Sequence, residues 1–149
     1  MAHTHSNLLV HIIFSTENRS PSINAAWRRD LHAYLGGIVR ELGGKATAIN
    51  GTADHVHLLV SMAPALALAE LLRVLKANST RWVKREKGSR NFAWQTGYAA
   101  YSVSQSSAAA VAQYINEQEA HHRGITFQEE YLKFLKKNQI DYDERFIWG

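Results

Sequence analysis

Apolar positions along this chain alternate between strand-like runs and helix-like spacing. Asn7–Phe14 (NLLVHIIF) is a β-rich apolar run interrupted by His11 and predicts a first strand. Polar STENRSPS follows. Ile23, Ala26, Trp27, Leu31, Leu35, Ile38, Val39 and Leu42 then recur every three or four residues, a helix stopped by Gly43 and Gly44. Ala46–Asn50 predicts a short strand, and Gly51–Asp54 turns it into the β-rich run His55–Met62 (HVHLLVSM). Pro64 stands near the start of a helix over about 65–87, where its missing N–H costs little. One stripe of that helix carries Leu68, Leu71, Leu75 and Trp82; a neighbouring stripe carries Arg73, Lys76, Thr80, Lys84 and Lys87. A loop with Phe92 and Trp94 leads to a fourth strand, Tyr98–Ser104, and the rest reads as helices over 105–122 and 126–137. The second of these opens on a capping box, Thr126 to Glu129.

The order β-α-β-β-α-β predicts an α+β fold: a ferredoxin-like split β-α-β antiparallel sheet on an RRM-like plan, two helices on one face, and additional C-terminal helices. A length of 149 residues fits one domain, expected over 1–149. The absence of cysteine excludes disulfides, a thiol nucleophile and thiolate metal sites. No apolar run reaches a membrane span and the start has no signal-peptide pattern, so a cytoplasmic protein is expected. A net charge of +4 suggests an anionic partner, and its location sharpens the suggestion. Residues 63–103 hold seven Lys/Arg against two Asp/Glu, whereas residues 104–149 hold five against seven.

Eight histidines are many for this length. His55 and His57 flank Val56 on a strand, so both imidazoles point to one face. With Val56, Leu58 and Val60 turned to the helices, the histidines are expected on the open face. Two imidazoles at this spacing can share a metal ion, but a site needs further ligands. Gln118 offers one, with Tyr114 one helical turn before it; His121 and His122 lie one turn beyond. Read alone, Tyr114 fits a packed aromatic beside Val111, Ala112 and Ile115, and the two histidines fit cations at a helix C-terminus.

HVHLLVSM (55–62), WQTGYAAYSVS (94–104), YINEQEAHHRGITFQEEYLKFLKKN (114–138) and HIIFSTENR (11–19) together resemble the single-tyrosine HUH transposases of small bacterial insertion sequences, the TnpA-type enzymes and their repeat-associated relatives. The resemblance runs from about His11 to Trp148. It implies that His55, His57 and Gln118 hold a divalent metal, Mg²⁺ or Mn²⁺, and that Tyr114 is the nucleophile. It also implies single-stranded DNA with hairpin-bearing ends, and a homodimer with shared active sites. His121, His122 and Arg123 match one subgroup and receive no catalytic role.

The implied chemistry is attack by Tyr114 on a DNA phosphate, giving a 5′-phosphotyrosine and a free 3′-OH, followed by strand transfer without a nucleotide cofactor. No GxxxxGK[ST] loop is present. Arg73, Lys76, Arg81, Lys84 and Arg85 are expected to grip DNA phosphates, with Phe92, Trp94 and Tyr98 as stacking candidates that core packing would equally explain. Nucleoid association follows from such a substrate. The alternatives are a domesticated, non-cleaving module binding structured DNA or RNA, and a metal-dependent nuclease without a covalent intermediate.

Overall fold

The computed structural model describes residues 3–149. Four strands, β1 (Leu9–Ser15), β2 (Lys45–Gly51), β3 (His55–Ser61) and β4 (Ala99–Val103), form an antiparallel sheet in the order β2-β3-β1-β4. This is the ferredoxin-like order the pattern predicts. The two central strands, β1 and β3, are the most buried, with six of seven residues buried in each.

Period-two alternation gives the sheet two different faces. Ile12, Phe14, Val56, Leu58 and Val60 point to one side. They meet Leu31, Leu35, Ile38 and Val39 of α1 (Arg28–Glu41) and Leu71, Leu72, Leu75 and Val83 of α2 (Leu68–Lys87). Each such side chain, fully buried, contributes roughly 1.5–3 kcal/mol.

The other face carries His11, Ile13, His55, His57, Leu59 and Tyr101, and it is not open. α3 (Ala108–Asn116), the short α4 (Gln118–His121) and α5 (Phe127–Lys137) cover it. Ile115 packs on Leu9, Ala48 and Leu59, while Phe127, Tyr131 and Leu135 pack on Ile13, Ala99 and Tyr101. The expectation of an exposed histidine face fails because these helices carry apolar stripes of their own, which the second side of the sheet buries.

The single helix expected over 105–122 is a 3-10 turn (Gln105–Ser107) followed by two helices that part at Glu117. At the break the Asn116 carbonyl accepts from the Asn50 side-chain amide of β2 at 3.0 Å, and Glu117 leaves helical geometry (φ −103°, ψ 20°). The capping box of α5 is present: Thr126 Oγ1 accepts from the Glu129 backbone N–H at 3.2 Å. α2 ends at Gly88, whose φ of 67° is left-handed and suits a residue without Cβ.

Lys84, Arg85 and Lys87 occupy the last turn of α2, where the helix dipole favours cations. Lys76, expected among the phosphate contacts, instead donates to the backbone carbonyls of Gln95, Thr96 and Gly97 at 3.0, 3.0 and 2.5 Å. Burial lowers its amine to about 8, where it keeps its charge at neutral pH.

Candidate active site

The turn between β2 and β3 sets the first ligand-type side chain. A Cβ on Gly51 would run into the His55 carbonyl oxygen, so the hairpin can close this tightly only on glycine. The Thr52 N–H donates to that carbonyl at 3.1 Å, and Thr52 Oγ1 donates to the Asp54 carboxylate at 3.0 Å. Asp54 Oδ1 then receives His55 Nδ1 at 2.7 Å. The turn thus fixes the His55 ring and leaves its Nε2 pointing beneath the C-terminal helices.

His57, two residues on, is anchored from the next strand. His11 of β1 meets His57 Nδ1 through its Nε2 at 2.8 Å. Both rings of the pair are therefore held at Nδ1, with Nε2 directed inward. Their Nε2 atoms meet groups from the helices above: His55 Nε2 lies 3.0 Å from Gln118 Oε1, and His57 Nε2 lies 2.9 Å from Glu130 Oε1.

Glu130 is the hub of the cluster. Its Oε1 also meets His122 Nε2 at 2.9 Å and lies 3.5 Å from His55 Nε2. Its Oε2 accepts from Gln118 Nε2 at 3.2 Å and from the Tyr114 hydroxyl. His55, His57, Gln118 and Glu130 are all buried to within 1%. The structure therefore brings together the four expected residues, His55, His57, Tyr114 and Gln118, and adds Glu130, His122, His11 and Asp54. One chain supplies every one of these side chains.

Electrostatics divide the cluster. Burial opposes charge on His55, but its hydrogen bonds to Asp54, Glu130 and Gln118 outweigh burial and raise it to about 9. Burial dominates at His57 and lowers it to about 4 despite Glu130; the same cause, helped by His57, lowers His11 to about 3. Burial would raise Glu130, yet hydrogen bonds to His122, His55 and His57 hold its carboxyl far below the usual range. Burial first, then Glu130, pushes the Tyr114 phenol above its ordinary value. A neutral His57 donating to Glu130 from Nε2 accepts at Nδ1 from His11, which fixes both tautomers of this state.

His55, His122 and Glu130 each offer a ligand atom, all within 4.8 Å of one another. The expected DNA contacts lie elsewhere. α2 packs on the opposite face of the sheet, where Arg73 pairs with Glu70, Arg81 with Asn78 and Arg85 with Glu86. Phe92 and Trp94 are core residues, 1% and 8% exposed, and Tyr98 packs against the same core.

Sequence reasoning missed Glu130 although a signal was present. It occupies the buried stripe of α5 with Phe127, Tyr131 and Leu135, where a lone carboxylate needs partners. His11 carried the same kind of signal, a single polar residue inside an aliphatic strand.

The chain matches the family described as "Transposase IS200 like" over residues 4–118. That stretch includes both histidines and Tyr114 and ends at Gln118, so His122 and Glu130 lie beyond it. Transposases for insertion sequence element IS200 from Salmonella typhimurium and Salmonella typhi are each 24% identical over 124 residues, covering 79% of this chain and 81% of theirs. Among solved structures, a protein of Deinococcus radiodurans R1 assigned as a transposase superposes with a TM-score of 0.60 at 24% identity, over 79% of this chain and 95% of that one. A REP-associated tyrosine transposase bound to a REP hairpin superposes with a TM-score of 0.62 at 14% identity, over 84% and 76%. These two share the fold. The matched family spans most of the chain, and the protein accordingly belongs to the IS200-like transposases, the single-tyrosine enzymes of insertion sequences.

Proposed function

We propose that residues 1–149 form one catalytic domain that cuts and rejoins single-stranded DNA at hairpin-bearing ends, with Tyr114 as nucleophile and a divalent cation held beside it. The observation that carries this reading is convergence. Nε2 atoms of three histidines and the Tyr114 hydroxyl all meet the Glu130 carboxylate.

The donor set fits a cation. His55 and His57 are held at Nδ1 by Asp54 and His11, the outer-shell support that ligating imidazoles require. His55 and His57 with Gln118, joined by His122 and Glu130, would hold the ion. Two or three imidazoles with amide and carboxylate oxygens suit Mn²⁺ and accept Mg²⁺. When bound, the cation would polarise the scissile phosphate and offset its charge.

The chain's own residues supply the remainder. Tyr114 is held as a neutral phenol, so it enters the reaction with its proton, and Glu130 Oε2 is the acceptor in contact with it. Attack of the phenolic oxygen forms a P–O bond and breaks the bond to the 3′ oxygen, which leaves as a 3′-OH after taking up a proton. The phosphodiester energy stays in the 5′-phosphotyrosine, and a second 3′-OH reverses the step on a new strand. Gln118 bridges His55 and Glu130 and keeps the tyrosine helix in register with the histidine strand.

Arg81, Lys84 and Arg85, exposed on α2, would contact flanking phosphates, with Arg73 beside Glu70; Lys76 serves the 95–97 loop. A homodimer would carry two such sites and engage both ends of an element at the nucleoid.

Incubation with single-stranded oligonucleotides from the flanks of the gene, with Mn²⁺ or Mg²⁺, tests the reading. A denaturation-resistant protein–DNA adduct is expected, absent with EDTA, Tyr114→Phe or His57→Ala. An adduct that survives Tyr114→Phe overturns the nucleophile assignment. Cleavage without an adduct makes the protein a nuclease, and binding without cleavage makes it a binding module.

A further inference from the structure

Between α3 and α5 lies a groove with a cavity of about 500 Å³, within the range of pockets that hold small organic groups. It exists because Ser107, at the end of the 3-10 turn, and Ala110 and Val111 of α3 precede Tyr114, and these side chains are too short to fill the space toward α5. Four of its lining residues, His11, Tyr114, His121 and Phe134, present flat unsaturated rings. Phe134 faces the Tyr114 ring edge-on at 5.5 Å, and His121 stacks on Tyr114 at 4.3 Å with 24° between planes. His11 closes the floor, its ring 5.1 Å from that of Phe134.

Two further features point to a polar, anionic occupant. His121 Nε2 is buried without a hydrogen-bond partner, 4.0 Å from the nearest Glu117 oxygen. Lys133 and Lys137, one helical turn apart on α5, are exposed along the same groove. Neither has a side-chain hydrogen bond or ion pair among the described residues.

We infer that this groove receives one unpaired nucleotide flanking the scissile phosphate, its base against Phe134, His121 and Tyr114 and its phosphate at Lys133 and Lys137. The inference rests on Tyr114 as nucleophile and adds the substrate feature read beside it. A ring system inserted here satisfies the flat rings, and its polar edge offers His121 Nε2 a partner. The paired lysines fit the phosphate that the base carries with it. Stacking of this kind tolerates any base, so the groove senses that a base is present and unpaired more than which base it is. Seating the flanking nucleotide also fixes the next phosphate at the Tyr114 hydroxyl, the positioning that in-line attack demands.

The test uses full-length Tyr114→Phe protein, which keeps the ring and cannot form the adduct, with oligonucleotides carrying 2-aminopurine at successive positions. Quenching is expected at a position next to the cleavage site mapped with the wild type. It should disappear in Ala110→Phe, which fills the groove from an exposed helix position. An abasic nucleotide at that position should weaken binding roughly tenfold, the loss of one base–aromatic stack. Lys133→Gln/Lys137→Gln should weaken binding for every base and flatten its salt dependence. If wild type forms the adduct but no flanking position is quenched, or quenching survives Ala110→Phe, the groove inference is overturned and the nucleophile assignment stands. If Ala110→Phe changes the oligomeric state and leaves quenching unaltered, the groove belongs to a second copy of the chain. If wild type neither binds nor forms an adduct, the transferase reading falls and takes the groove with it.

Discussion

The two faces of the sheet are built from the same four strands and solve different problems. Beneath α1 and α2 the contacts are aliphatic and aromatic, and their strength grows with the area removed from water. Beneath α3–α5, apolar clusters at both ends enclose a polar cluster of three histidines, a glutamine, a glutamate and the Tyr114 hydroxyl. Burying such groups is costly unless each finds a partner, and here they share one carboxylate. The first face can lose a methyl group and remain itself. The second is specific because any member removed strands the others.

Exchanging one residue on each face should expose this difference. Glu130→Ala leaves buried imidazoles and Tyr114 without their acceptor; unfolding in urea should show a loss of about 3–5 kcal/mol, and adduct formation should vanish. Leu75→Ala on the α2 side should cost a comparable 2–5 kcal/mol while the folded fraction still forms the adduct. A Leu75→Ala protein that stays folded yet is inactive would show that the faces are coupled.

Tyr114→Phe should separate chemistry from stability on the histidine face. Adduct formation should fall at least a thousandfold, with stability changed by only about 1 kcal/mol, the worth of one hydrogen bond.

A smaller effect, driven by acid, isolates one buried histidine on the α1 side. His32, on α1, is lowered to about 4 by burial first and Arg28 second, and its Nε2 is buried without a partner. Its native pKa lies below the unfolded 6.5, so the unfolded chain binds the proton more readily. Stability should therefore drop as pH falls from 6.5 toward 4, by roughly 2–3 kcal/mol for this residue. His32→Gln should flatten that part of the stability–pH curve, followed by thermal melts.

The smallest change concerns α2. Lys84→Gln should alter stability by less than about 0.5 kcal/mol. If Lys84 meets a phosphate, the log–log salt slope of DNA binding should shrink by about 0.7 to 0.9. An unchanged slope would assign the charge of α2 to its own helix dipole.

Most of the apolar architecture was legible in the sequence because it rests on local periodicity. The strands, the capping box at Thr126 and the long cationic helix all announce themselves within a few residues. The Glu117 break was not legible: it depends on Asn50, 66 residues away, donating to the Asn116 carbonyl. The histidine pair and Tyr114 were visible as a motif. Glu130 was masked because Glu129 beside it explained the acidic start of α5; its place on the stripe of Phe127, Tyr131 and Leu135 marks it as buried but does not say that its partners are three imidazoles. Lys76 shows the converse, since a basic stripe looks alike whether its amine meets phosphate or three carbonyls.

The cluster also imposes an order on the birth of the protein. The hairpin carrying both histidines closes over a few residues, but Gln118 lies 63 positions beyond His55 and Glu130 lies 73 beyond His57. Local contacts form early and distant ones late. The sheet can therefore assemble with its imidazoles waiting, and the cluster around Glu130 is complete only once α5 docks. With the proposed chemistry placed at this cluster, delayed assembly would work as a safety catch that docking of α5 releases.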